Sequence, residues 1–190
     1  MTPRILVFAG SARRDSYNKT LARLAAAHCR ELGAETTCID LADYPMPLYD
    51  GDLEADAGPP EHAFRLQALI ADQDGLLIAS PEYNNSLPAL LKNTLDWVSR
   101  TPRVRGGNPF AGKVAGLVSA SPGSLGGLRG LDHVRRVLDT LGMLVLPGVV
   151  AVPHADRAFD AEGRLIDDSA DRRLVALARQ LVDVSGRLVA

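Results

Sequence analysis

Residues 10–18, Gly10-Ser11-Ala12-Arg13-Arg14-Asp15-Ser16-Tyr17-Asn18, gather side chains that suit a phosphate. Ser11, Ser16, Asn18 and, just beyond, Thr20 supply hydroxyls and an amide; Arg13 and Arg14 supply positive charge. The stretch follows an apolar run, Ile5-Leu6-Val7-Phe8, and precedes a helical pattern that starts near Asn18. The first N–H groups of a helix have no internal partner, and its dipole favours an anion there. Simple capping by Ser16 or Asn18 would explain one polar residue of the stretch, not the others or the two arginines. Arg14 is expected to face solvent.

Two further stretches carry chemistry of a different kind. Pro81-Glu82-Tyr83-Asn84 follows another apolar run, and Tyr83 offers an apolar face with a polar tip, which suits the wall of a flat-ring pocket. Ser119-Ala120-Ser121-Pro122-Gly123, continuing to Gly126 and Gly127, is a glycine-rich turn after a third apolar run. Glycine there permits flexibility, and also close approach of backbone to a planar ligand. Lys92 and Asp96 are spaced to pair along a helix, and Trp97 reads as packing rather than ring stacking.

Several other chemistries are refused by the same reasoning. Gly107-Asn108-Pro109-Phe110-Ala111-Gly112-Lys113 fits G-x-x-x-x-G-K, but Val114 replaces the hydroxyl residue that binds magnesium. That segment also precedes a strand instead of following one. His28, His62, His133 and His154 show no metal-ligand spacing and read as surface or capping residues. No C-x5-R loop exists. Cys29 and Cys38 have neither metal nor redox spacing and are expected as reduced core residues. No pair of carboxylates or histidines suggests acid–base catalysis, so no catalytic side chain and no metal site is assigned.

The elements that must position these loops alternate regularly. Strands are expected at Arg4–Ala9, Glu35–Asp40, Gly75–Ala79, Val114–Ser119 and Met143–Val152, the last interrupted by Pro147-Gly148. Helices are expected at Asn18–Leu32, Glu61–Ala71, Pro88 to about Arg100, Leu128–Leu141 and Asp167–Val189, with Pro88 opening its helix. Leu41–Pro60 and Thr101–Gly112 read as Gly/Pro-rich loops. Loops as long as the first are functional or mobile in compact domains. Strands separated by helices pair in parallel through right-handed crossovers. The fold class is therefore α/β, doubly wound and five-stranded. The flavodoxin-like order 2-1-3-4-5, with helices on both faces, is expected rather than a Rossmann-type order. In such sheets ligands bind at the carboxyl ends of the strands, where the order reverses, and the three unusual loops converge there.

At 190 residues the chain reads as one domain, residues 1–190, large enough for a real core. A net charge of −2 gives no reason to expect nucleic acid. No apolar run reaches the roughly 18–20 residues that span a membrane, and no leader peptide precedes the first strand, so the expected location is cytoplasmic.

The motifs together resemble the NADPH-dependent FMN reductase family, which includes quinone and chromate reductases. They are Gly10-Ser11-x-Arg13-x-x-Ser16-x-Asn18, then Pro81-Glu82-Tyr83-Asn84-x-Ser86-x-Pro88-x-x-Leu91-Lys92-Asn93-x-x-Asp96-Trp97, then the Ser119–Arg129 turn. The resemblance covers about residues 4–150. It implies that Ser11, Arg13, Ser16 and Asn18 bind the FMN phosphate. It implies that Pro81, Glu82, Tyr83 and Asn84 line the isoalloxazine ring, largely through backbone groups. Ser119, Ser121, Gly123, Gly126 and Gly127 would edge the flavin and its ribityl chain. Pro122 and Asn85 depart slightly from the pattern. The implied activity is transfer of a hydride from NADPH or NADH, via bound FMN, to a quinone or similar small acceptor in a ping-pong cycle. The alternative is a non-enzymatic flavodoxin-type electron carrier, which a net charge of −2 supports weakly. The implied assembly is a homodimer or homotetramer.

Overall fold

The computed structural model describes residues 1–101 and 107–188. The expectation of a loop over residues 102–106, and of Val189 as the end of the last helix, lies outside the described residues. Five strands, β1 (Arg4–Ala9), β2 (Glu35–Asp40), β3 (Gly75–Ala79), β4 (Val114–Ala120) and β5 (Leu144–Val152), form one parallel sheet. Their order is β2-β1-β3-β4-β5, the flavodoxin-like arrangement. The helices are α1 (Tyr17–Glu31), α2 (Gly51–Ala57), α3 (Glu61–Ala71), α4 (Ala89–Arg100), α5 (Leu128–Thr140) and α6 (Asp168–Leu188).

Side chains alternate across a strand, so each strand feeds two cores. Ile5, Val7 and Ala9 of β1 join Leu77 and Ala79 of β3 under α1 and α6. Leu21, Ala25 and Cys29 of α1 and Leu174, Leu177 and Leu181 of α6 complete that layer. Leu6, Phe8, Leu76 and Ile78 point the other way, against Leu66 and Ile70 of α3, Leu91 and Leu95 of α4, and Leu131, Val134 and Leu138 of α5. The central strands are thus apolar throughout because both faces are covered.

Four local readings change. Strand β5 runs through Pro147-Gly148 instead of breaking there. The register steps from Ala115↔Val145 to Leu117↔Val149, so Leu146, Pro147 and Gly148 bulge opposite Gly116. An edge strand tolerates this proline, and Arg135 donates to the carbonyls of Val145, Leu146 and Pro147 that the bulge frees. Pro88 is the residue before the first turn of α4, with extended backbone (φ −72°, ψ 149°), rather than its first helical residue. Cys38 is exposed, not a core residue, because β2 is an edge strand covered on fewer sides; Cys29 is buried.

The 41–60 stretch is also more ordered than its composition suggests. It contains a 3-10 turn at Leu41–Asp43 and the short helix α2, whose first turn is capped by the Asp50 carboxylate on the Asp52 N–H. It is strapped to α4. Trp97 Nε1 and Asn93 Nδ2 both donate to the Pro47 carbonyl, at 2.7 and 2.9 Å, and Asn93 Oδ1 accepts from the Tyr49 N–H. Arg100 donates to the Glu54 carboxylate and to the Tyr49 hydroxyl. Trp97 is fully buried beneath this strap, as its packing role requires. Lys92 and Asp96 pair at 2.7 Å as their spacing predicts.

Candidate active site

The loops after β1, β3 and β4 meet at the carboxyl edge of the sheet, beside the β1/β3 position where the strand order reverses. They enclose a cavity of about 330 Å³ lined by Ser11, Arg13, Ser16, Tyr17, Asn18, Pro81, Glu82, Tyr83, Ala120, Ser121 and Pro122. The first loop can start there because Gly10 lies against α4. A Cβ on Gly10 would stand 3.1 Å from that of Leu91. The Gly10 N–H also bonds the Ala79 carbonyl, which ties the first loop to the end of β3.

The phosphate-type loop is built around hydroxyls that the protein itself leaves available. Ser16 occupies the cap position of α1 with extended backbone, yet its side chain makes no capping hydrogen bond. It is 4% exposed, and Ser11 is 5% exposed, so both hydroxyls are held at the cavity and not dispersed into solvent. Ser11 Oγ accepts from the Arg13 N–H at 3.3 Å. The Arg13 guanidinium lies over the Tyr17 ring, 5.3 Å from its centroid, which fixes a cation at the cavity mouth. Asn18 is turned to β4. Its Nδ2 donates to the Ala120 carbonyl at 2.8 Å and its Oδ1 accepts from the Ala120 N–H at 3.0 Å. One amide proton of Asn18 remains for a ligand.

Lys19, the next residue, is neutralised elsewhere. Its Nζ lies 2.6 Å from the Asp40 carboxylate at the end of β2. Burial raises the Asp40 pKa, but the hydrogen bonds from Lys19 and the Ala42 N–H outweigh it and hold the carboxyl below its usual value. Among the described residues, Arg13 is the cation that lines the cavity.

The second loop is a tight hairpin. Tyr83 and Ser86 exchange backbone hydrogen bonds at 3.0 Å in both directions. Asn84 and Asn85 between them have φ of 51° and 60°. Left-handed backbone at both central residues is the type I′ turn, and asparagine tolerates it better than other side-chain-bearing residues. Asn84 thus sits at the turn tip, outside the cavity lining, while Tyr83 stands 56% exposed at its edge. The Glu82 side chain leaves the cavity for α5, where Oε2 accepts from the Gly130 N–H at 2.8 Å.

The third loop is anchored to β5. Ser121 donates its N–H to the Val152 carbonyl, and its own carbonyl accepts from the Ala155 N–H. Ser121 Oγ accepts from the Gly123 N–H at 3.3 Å. Gly126 and Gly127, with φ of 62° and 89°, are required by packing within the protein. A Cβ on Gly126 would fall 2.7 Å from Val152 backbone, and one on Gly127 would fall 2.0 Å from Ser119 Oγ. Ser119 is fully buried beneath that turn, and its hydroxyl has no hydrogen-bond partner among the described residues.

Of the residues read from the sequence, Ser11, Arg13, Ser16, Asn18, Pro81, Glu82, Tyr83 and Ser121 line one cavity; Asn84, Ser119, Gly123, Gly126 and Gly127 stand behind or beside it. The lining also takes in Tyr17 and Ala120, which the sequence motifs do not mark. Tyr17 lies inside the first motif, between Ser16 and Asn18, where the polar pattern gives it no signal of its own. A larger cavity of about 900 Å³ lies across Tyr17, between α1 and residues 155–168. Asp15, Glu31, Asp156, Asp160, Glu162, Asp168 and Asp171 outweigh Arg14, Arg23 and Arg164 along its walls, which disfavours an anion there. Among the described residues no cluster of histidine, cysteine or carboxylate side chains suits a metal ion.

The donor set fits a phosphorylated flat cofactor. The uncommitted Ser16 hydroxyl, the open first turn of α1 and Arg13 suit a phosphate, and the cleft between Pro81–Tyr83 and Ser121-Pro122 suits a planar ring.

Comparison with known proteins agrees. Residues 3–157 match the family model for NADPH-dependent FMN reductase. The chain is 35% identical over 176 residues to 2-hydroxy-1,4-benzoquinone reductase of a Burkholderia species, covering 92% of this chain and 91% of that protein. It is 39% identical over 169 residues to an NAD(P)H-dependent FMN reductase of Pseudomonas aeruginosa, covering 88% and 86%. Among solved structures, the flavoenzyme NAD(P)H:(acceptor) oxidoreductase FerB of Paracoccus denitrificans superposes with a TM-score of 0.81 at 29% identity, over 98% of each chain. With this match spanning most of its length, and with the three loops converging as they do, the chain belongs to the NADPH-dependent FMN reductase family.

Proposed function

We propose that the protein is an FMN-dependent NAD(P)H oxidoreductase that passes a hydride from NADPH or NADH to a quinone or similar small acceptor. The observation that carries this reading is the Ser16 hydroxyl. It sits at the N-terminus of a helix, buried and unspent on capping, facing a cavity that also holds the Tyr83 hairpin. Bound FMN would supply the centre that accepts and releases two electrons.

The chain's own residues then have separate tasks. Ser11, Ser16, the remaining amide proton of Asn18 and the first N–H groups of α1 hold the phosphate, and Arg13 balances its charge. The backbone of Pro81, Glu82 and Tyr83 and the Ser121-Pro122 segment would border the ring, with Asn84 and the Gly123–Gly127 turn behind them. Ser119 supports that turn from below, where Gly127 rests on it. A hydride carries both electrons and one proton from the nicotinamide. The quinone takes up two electrons and two protons, the second proton coming from solvent. No side-chain acid or base is needed at the cavity for that balance.

Nicotinamide and acceptor use the same open side of the cavity in turn, so the kinetics are ping-pong. Tyr83 and Leu125 on the loops of this edge and Leu128 at the start of α5, all more than 40% exposed, support a homodimer or homotetramer that covers them. A cytoplasmic setting supplies the nicotinamide. The acceptor is a small molecule, and no nucleic acid or membrane takes part.

A steady-state screen of NADPH and NADH against quinones, with the FMN-loaded protein, tests the reading. Turnover with parallel double-reciprocal lines supports it. Protein that binds FMN tightly yet turns over no acceptor is a carrier instead, and overturns it.

A further inference from the structure

The Tyr83 hairpin and helix α5 come from different crossovers, yet three side-chain contacts join them. Glu82 Oε2 accepts from the Gly130 N–H at 2.8 Å. Arg129 Nη1 donates to Asn85 Oδ1 at 2.8 Å, and Ser86 Oγ lies 2.8 Å from His133 Nδ1. The first of these differs in kind from the other two. Gly130 is the third residue of α5, and its N–H is one of the four that the helix cannot satisfy internally. The helix start is Gly127, which has no side chain to cap it. The Glu82 carboxylate fills that role from the neighbouring loop, and its charge opposes the positive end of the helix dipole. The fit is close: a Cβ on Gly130 would lie 3.2 Å from Glu82 Cβ and 3.2 Å from the Ser86 carbonyl oxygen.

We propose that Glu82 is a positioning residue for hydride transfer, which fixes the Tyr83 hairpin beside the ring by capping α5, and whose carboxylate tempers the positive field of that helix at the flavin. The proposal rests on the FMN reading given above. It assigns Glu82 two separable properties, reach and charge, and each has its own consequence. Reach holds the hairpin in register with the ring, and small displacements of a bound geometry are costly to a transfer step. Charge offsets a helix end that would otherwise stabilise the additional negative charge of a reduced flavin.

Two conservative variants separate the properties. E82D keeps the charge and shortens the reach; E82Q keeps the reach and an acceptor oxygen and removes the charge. In the apo-protein, hydrogen exchange of the Tyr83 and Ser86 amides is expected to accelerate about tenfold in E82D, a factor that corresponds to about 1.4 kcal/mol. In E82Q it stays near the parent rate. In the FMN-loaded proteins, E82Q raises the flavin midpoint potential, whereas E82D lowers the rate of flavin reduction at saturating NAD(P)H and leaves the potential near that of the parent. Unchanged exchange of both amides in E82D overturns the positioning role, and an unchanged potential in E82Q overturns the electrostatic one. The exchange measurement needs no cofactor, so a parent protein that fails to bind FMN refutes the flavin reading without affecting it.

Discussion

Asn18 holds the backbone of Ala120 from both sides, donating to its carbonyl at 2.8 Å and accepting from its N–H at 3.0 Å. The two residues are far apart in the chain, one in the first turn of α1 and the other at the end of β4. Asn18 is 3% exposed, so both bonds are shielded from water. This clamp sets the distance between the first and third loops and thereby the width of the cavity between them. Asn18→Ala leaves a buried N–H and carbonyl unpaired at Ala120. The expected cost is about 2–3 kcal/mol, and the Tm of the apo-protein is expected to fall by roughly 4–10 °C. FMN affinity falls with it. An apo-protein Tm equal to that of the parent would contradict the clamp.

Arg13 and Ser16 face the same loop but differ in what else they do. Arg13→Ala removes a charged donor, and FMN binding is expected to weaken about 10–100-fold, equivalent to about 1.5–3 kcal/mol. Riboflavin, which lacks the phosphate, should bind Arg13→Ala as it binds the parent. Ser16→Ala should also weaken FMN selectively. Because the Ser16 hydroxyl caps nothing, its removal should leave the stability of the apo-protein almost unchanged. Titration with both flavins, paired with thermal unfolding, checks the two variants together.

The 41–60 strap depends on Trp97, the chain's single tryptophan. Trp97→Phe keeps a buried ring but deletes the 2.7 Å bond to the Pro47 carbonyl. The expected loss is about 1–2 kcal/mol. Limited proteolysis should then cut within 41–60 sooner than in the parent, and Asn93→Ala, which removes the second donor to Pro47, should act the same way. A cleavage pattern identical to the parent would show that the strap is held by other contacts.

The two cysteines should separate cleanly by reactivity. Burial pushes the Cys29 thiol up to about 11, outweighing the opposing charge of Arg30. Burial also raises the Cys38 pKa, partly offset by Arg30 and Arg23, but this thiol is exposed. The thiolate is the reactive form, so labelling of the folded protein should report Cys38 alone and quicken as pH rises. Cys29 should label only after denaturation. Cys38→Ser should abolish the native reaction, and residual labelling of that variant would contradict the burial of Cys29.

The sheet order was legible because alternation of apolar runs with amphipathic helices leaves few topologies. The three loops were legible because their polar and glycine content stands out against those runs. What stayed hidden was the partner of each side chain. Nothing local in the sequence shows that Asn18 binds Ala120, that Glu82 reaches Gly130, or that Gly127 rests on Ser119, because each contact spans different crossovers. The composition of 41–60 predicts a loop because its prolines and glycines outweigh the seven residues of α2, and its order comes from Asn93, Trp97 and Arg100 on another element. Cys38 departs from the core placement that its residue type predicts because that habit does not hold on an edge strand such as β2, whose other residues are mostly polar.

The most direct measurement is anaerobic rapid mixing of the FMN-loaded protein with NADPH or NADH, followed by addition of a quinone. The account predicts that the yellow flavin absorbance bleaches in the first mix, with stoichiometric oxidation of the nicotinamide, and returns in full when the quinone is added. Absorbance that persists through the first mix, with FMN verifiably bound at the Ser16 loop, would contradict it.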